Sequence, residues 1–124
     1  MKKLLCVVAV ALAIVVAGHV TAKNLAPKEI GEIMKEAHGG GAKSLRAKVI
    51  AGKGDEADAK KLLALYEDLA KNDPPKGEKA DWKKKTDAIL AAAKKVAAKP
   101  DDAVATKALG TATNCAACHK EHKP

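Results

Sequence analysis

From Pro27 onward the chain is divided into apolar stripes at helical spacing, separated by short groups of glycine and proline. Between Ile30 and His38 the apolar positions recur three and four residues apart, which is the spacing of one helix face. Gly39–Gly41 interrupts this stripe, and the pattern does not decide whether the helix ends or bends there. No stretch shows convincing period-two alternation, so the sequence predicts an all-α fold.

The breakers and caps define the remaining helices. Asp55 is a good N-cap after the glycine turn at 52–54, and the two prolines and glycine within 72–77 end the helix that follows. Because the connections are short, we expect antiparallel neighbours in a four-helix bundle. The predicted helices cover 27–51 (with the glycine interruption), 55–71, 79–98 and 102–121.

Residues 1–22 have the features of a secretory signal peptide. Two lysines precede an apolar run over 4–18, and small residues stand at the −3 and −1 positions of a cleavage site after Ala22. The run is shorter than the roughly 20 apolar residues of a spanning helix, and Cys6 lies at its start, where lipoprotein processing does not occur. We therefore expect export to the periplasm, a mature domain over 23–124, and no membrane span after cleavage.

The mature segment has few side chains large enough to form a core. Of its 42 apolar residues 22 are alanine, and the chain contains no Phe, one Trp and one Tyr. A chain of this size is marginal in the area that it buries, so we expect a bound group to fill part of the centre. A large catalytic cleft and a second substrate site are not expected, and the sequence does not suggest an enzyme.

The chain is basic, with a formal net charge of +8. Arg46 is its single arginine, so the positive charge is carried by lysines. These form either a solvated surface or a docking surface for an acidic partner protein, in which charge speeds the encounter. Nucleic-acid binding is not expected, because arginine is scarce and aromatic residues do not alternate with basic ones.

The motif C-x-x-C-H at residues 115–119 is the attachment signature of c-type haem. On a helix, Cys115, Cys118 and His119 share one face. The two thiols can form thioethers with the vinyl groups of one haem, and the imidazole then lies beneath the iron as its proximal ligand. We expect one covalent haem c, with Val104, Ala108 and Ala112 continuing the same face of the last helix.

Other chemistries are open to these cysteines. An exported pair can form a disulfide, and a zinc site would need His122 to join the motif within eight residues, which is poor tetrahedral geometry. A thioredoxin-type dithiol requires a βαβ context, and no strand is predicted. If haem binds, His122 cannot reach the opposite face of the iron, and we expect it to contact solvent or a propionate.

The C-terminal motif on the last of four helices, together with a methionine on the first, resembles the class II cytochromes c. This family comprises cytochrome c-prime and its low-spin, methionine-ligated relatives. The resemblance implies a haem held between helices, His119 as proximal ligand and Lys123 near the haem edge. The resemblance is also compatible with a dimer.

The sixth iron ligand separates the candidate functions. Met34 lies in the first apolar stripe and is a suitable ligand, and His38, one turn later, is its rival. With Met34 and His119 as axial ligands, we expect an exported monohaem cytochrome that carries single electrons between redox partner proteins. Without a protein ligand, a five-coordinate c-prime-like protein would bind NO or CO. The third hypothesis is a haem-free helical module with a disulfide or metal at Cys115 and Cys118.

Overall fold

The computed structural model describes residues 26–124, and within this range the chain is all-helical with no strand. The predicted signal peptide and its cleavage site lie outside the described residues. The helices are α1 (Ile30–Ile33), a π-helix (Met34–His38), a 3₁₀ turn (Gly41–Lys43), α2 (Leu45–Ile50), α3 (Glu56–Lys71), α4 (Lys79–Ala98), α5 (Ala103–Ala112) and α6 (Cys115–His122).

α1 and the π-helix together form the first helix, which ends at the triple glycine. α1 continues directly into the π-helix, and the chain leaves the helix at Gly39. Gly40 and Gly41 then take φ angles of +91° and +57°, a left-handed conformation that glycine adopts without steric cost. The glycine interruption therefore separates α1 and the π-helix from α2.

The two long helices agree with the sequence pattern. Asp55 caps α3 through a capping box with Asp58, each side chain accepting a hydrogen bond from the other residue's backbone N–H. The prediction of a helix over 79–98 is confirmed by α4. α3 packs closely against α4, and α4 against α5. The indole Nε1 of Trp82 donates to the Asn72 carbonyl at 2.8 Å, which joins the start of α4 to the end of α3.

The prediction of one continuous last helix was wrong. Thr113 interrupts it, with its hydroxyl donating to the Leu109 carbonyl and accepting from Arg46 Nε, both at 2.7 Å. The Asn114 side chain then accepts a hydrogen bond from the Ala117 N–H and starts α6 as a separate helix. Val104, which is 80% exposed, and the exposed Ala108 consequently do not continue the face of the cysteine motif.

The apolar core lies mainly between α3, α4 and α5, and the first helix and α2 pack against it. Each helix within residues 26–124 is too short or too polar to span a lipid bilayer. The largest fully buried side chains are Tyr66, Ile33, Leu62, Leu109, Val49 and Val96.

We expect Gly39→Ala to destabilise the protein, because its new Cβ would lie 2.2 Å from the Lys35 carbonyl oxygen. The backbone would have to shift, at a cost of about 1–3 kcal/mol. Gly31→Ala is the matched control: a Cβ there meets nothing within 4 Å, and alanine stabilises a helix by up to about 1 kcal/mol relative to glycine. Urea unfolding of both variants measures the difference, and equal effects would contradict this account of the helix end.

Candidate functional site

α6 presents the three residues of the cysteine motif to one cavity. The cap by Asn114 sets the helical register, and Cys115, Cys118 and His119 all line a cavity of about 180 Å³. Cys118 is half-buried, whereas Cys115 and His119 are more exposed. No disulfide joins Cys115 and Cys118 in the structure.

The facing wall of this cavity comes from the first helix. Met34 and His38, at the two ends of the π-helix, both line it, so the structure brings together all five predicted site residues. π-Helical turns are uncommon and frequently lie at functional sites. Apolar side chains complete the lining, among them Leu69 of α3 and Ile89 of α4.

A second cavity of about 320 Å³ adjoins the first. Met34, Cys118 and His119 line both cavities, so these three residues stand at the boundary between them. Trp82 and Ile30 supply much of the apolar lining of the second cavity. The space between the first helix and α6 is therefore larger than either cavity alone, and mostly apolar.

His38 is paired with a tyrosine, a contact that no local sequence pattern signals. Its Nε2 shares a hydrogen bond of 3.2 Å with the hydroxyl of Tyr66, and the rings meet edge to face. Tyr66 is only 1% exposed, and burial raises the pKa of its hydroxyl. Burial also lowers the pKa of His38 to about 4, with smaller contributions from the nearby charges of Arg46 and His119. His38 is thus held neutral inside the site.

Arg46 is a second residue whose place the sequence did not reveal. Its Nε donates to the Thr113 hydroxyl at 2.7 Å and its Nη2 to the Gly110 carbonyl at 3.3 Å. These bonds join α2 to the break between α5 and α6 and place the single arginine of the chain close to the cavity. The partners are more than 60 residues apart in sequence, so no local pattern signals the contact.

The structure places His122 away from solvent, contrary to the prediction. It is 3% exposed, and its Nδ1 and Nε2 donate to the Lys76 carbonyl and to Asp81 Oδ2, both at 2.9 Å. The sequence places His122 on a helix. It does not show that the loop carbonyl of Lys76 and the carboxylate of Asp81 lie beside it. Both ring nitrogens are engaged, so the imidazole is not a free ligand for a zinc ion at the cysteines.

The surroundings of the two thiols are relevant to the alternatives of a reactive dithiol and a metal site. Burial raises the pKa of the Cys118 thiol, whereas reactive dithiols depend on a lowered thiol pKa. Among residues 26–124, no group of three or more His, Cys, Asp or Glu side chains is arranged to hold a metal ion.

Comparisons with protein-family models, curated proteins and solved structures find no match for this chain. The resemblance to the class II cytochromes c therefore rests on the residues themselves.

We expect His38 to make the stability of the fold depend on pH. Its folded-state pKa of about 4 lies below the ordinary value of 6.5, so the unfolded chain takes up the proton first as the pH falls. The His38 contribution to the free energy of unfolding should be complete above pH 6.5 and should be lost as the pH falls toward 4. Urea unfolding at a series of pH values should show a shallower slope in this window for His38→Gln. Parallel profiles for the two proteins would contradict the burial of His38.

Proposed function

We propose that residues 23–124 are an exported monohaem c-type cytochrome that carries single electrons between redox partner proteins. Cys115 and Cys118 would hold one haem c through thioethers, and His119 would be its proximal iron ligand. The observation that carries this proposal is that the C-x-x-C-H residues and both candidate distal ligands line one cavity.

The residues around the cavity suit such a group. Thiols at i and i+3 with an imidazole at i+4 form the donor set that c-type haem requires, and the cavities on either side of Met34 are lined mainly by apolar side chains. When bound, haem supplies an iron that gains or loses one electron. The protein's own residues would attach and orient the group, and the apolar lining residues Leu69, Ile89 and Trp82 would limit the access of water to it.

Met34 is the distal ligand that the geometry favours. It lines both cavities, whereas His38 lines only the first of the two, and the Nε2 of His38 is already hydrogen-bonded to Tyr66. A methionine ligand opposite histidine raises the reduction potential, as in electron-carrying cytochromes c. Met34 and His119 would both stay bound while the haem iron gained or lost an electron, which would suit an electron carrier and not an enzyme.

The polar groups of the first cavity support a second candidate function. His38 and Tyr66 bring a neutral imidazole and a hydroxyl to its lining, and the positive charge of Arg46 is near enough to lower the pKa of His38. Polar distal groups influence whether a haem binds small gases. A five-coordinate, c-prime-like protein that binds NO or CO is therefore the alternative, with Met34 as a steric wall.

The same proposal assigns the protein to the class II cytochromes c and to the periplasm. The exposed Lys123 lines the second cavity beside His119, which suits a haem edge set in a basic surface. Charge would attract an acidic redox partner. A dimer is also compatible with the resemblance, and sedimentation of the purified protein distinguishes it from a monomer.

We expect the chain, produced in a host with haem-maturation machinery, to retain its haem after acid extraction, because thioether bonds are covalent. The absorption spectrum of the extracted protein is the measurement. The double variant Cys115→Ala/Cys118→Ala is the control, and it should lose the haem. A wild-type protein without covalent haem would overturn both haem hypotheses and leave the haem-free module with a disulfide or metal at these cysteines.

We expect Met34→Ala to convert a low-spin iron into a high-spin iron that takes up CO readily, because the distal thioether is removed. His38→Ala is the matched control one turn away, and its spectrum should stay low-spin. The measurement is the ferrous absorption spectrum with and without CO.

Two results would contradict the Met34 assignment. An unchanged spectrum in Met34→Ala, with a changed one in His38→Ala, would move the ligand to His38. Ready uptake of CO by the wild-type protein would instead favour the gas-binding alternative.

A further inference from the structure

We propose that His122 is a positioning residue that docks α6 onto the rest of the protein and thereby sets the place of the cysteine motif. The docking depends on the contacts of His122 and does not require a haem. Its consequence for the iron site rests on the proposed function.

The side chain of His122 is the main anchor of its helix. Within α6, all of whose residues are described, His122 alone is buried. α6 is not among the closely packed helix pairs of the described structure, and Cys118 is its half-buried residue. Since few other side chains hold α6 in place, the contacts of His122 carry much of its attachment.

These contacts reach two other parts of the chain. Nδ1 donates to the Lys76 carbonyl in the loop before α4, and Nε2 donates to Asp81 in the first turn of α4. Both partners are hydrogen-bond acceptors, and both nitrogens of an imidazole ring are able to donate. Hydrogen bonds from Lys85 and His122 lower the pKa of Asp81, which keeps this carboxylate ionised as an acceptor.

The remaining faces of the ring are also packed. The indole of Trp82 meets the imidazole edge to face, with ring centroids 5.2 Å apart, a favoured arrangement of aromatic rings. Gly77 lets the loop approach closely: at φ +82°, a Cβ there would lie 2.7 Å from the Glu121 carbonyl oxygen and 2.9 Å from His122 Nδ1. The loop, the start of α4 and the end of α6 thus form one packed junction.

The junction lies one helical turn from the proposed proximal ligand. His119 and His122 are three residues apart on α6, so a shift of the anchor moves His119 and Cys118 relative to Met34. Small displacements of ligands weaken metal coordination, because the surrounding residues orient the ligating side chains. His122 therefore acts on the iron site through the position of α6 and not by contact with the iron.

The test compares His122→Ala with His122→Gln, whose amide can keep one of the two donated bonds. Lys120→Ala is the control, an exposed residue of α6 that lines neither cavity. Gly77→Ala is a second perturbation that strains the junction without altering His122. The measurements on the purified full chain are hydrogen exchange of α6 amides by mass spectrometry and, for haem-bearing protein, the ferrous spectrum with CO.

We expect α6 amides to exchange roughly tenfold faster in His122→Ala, because docking is lost while α3 and α4 stay folded. His122→Gln should be intermediate, Gly77→Ala should resemble His122→Ala, and Lys120→Ala should match the wild type. In the haem-bearing protein, His122→Ala should also raise the high-spin, CO-binding fraction, and His122→Gln should partly restore the low-spin form.

Unchanged α6 exchange in a folded His122→Ala protein would overturn the docking. Faster exchange with an unchanged spectrum would overturn only its consequence for the iron. If the His122→Ala protein does not accumulate in the host, the α6 exchange rates and ferrous spectra of His122→Gln and Gly77→Ala distinguish the same outcomes. A wild type without covalent haem would refute the proposed function, while the exchange data would still decide whether His122 docks α6.

Discussion

The separation between the first helix and α6 is the constraint on which the site depends. Buried alanines on α3, α4 and α5 let α4 pack closely against both α3 and α5. α6 takes no part in that close packing and stands opposite Met34 across mostly apolar cavities. The space left open by the scarcity of large side chains therefore faces the cysteine motif. Our proposal fills that space with a haem, which would supply the aromatic bulk missing from the composition.

The attachment of α6 then becomes as important as the motif that it carries. Its N-terminus is fixed by the break at Thr113 and Asn114, and Arg46 stabilises that break from α2. Its C-terminus is fixed by His122 against the start of α4. Between these two points Cys118 is the one half-buried residue of α6. The motif residues therefore face the cavities. A helix held at both ends in this way can present its side chains to a planar group without being part of the core.

The long helices could be predicted from the sequence because their signals are local. The cap at Asp55, the prolines at 74 and 75 and the apolar stripe of α4 each act within a few residues. The division of the last helix could not be predicted, since Thr113 breaks it with the help of Arg46, 67 residues away. The motif at 115–119 is likewise local, whereas the partners of His38 and His122 come from distant segments. Helical spacing predicts which face a histidine occupies, but not which carboxylate or hydroxyl the fold brings to it.

Our proposal requires Cys115 and Cys118 together to bind one haem through covalent bonds. Mass spectrometry of a proteolytic digest of the protein, matured in a host that attaches haem, tests it most directly. We predict that the peptide containing residues 115–119 carries the mass of one haem, and that alanine at either cysteine removes one of the two attachments. Recovery of this peptide with two free thiols or an internal disulfide, and without haem, would contradict the account.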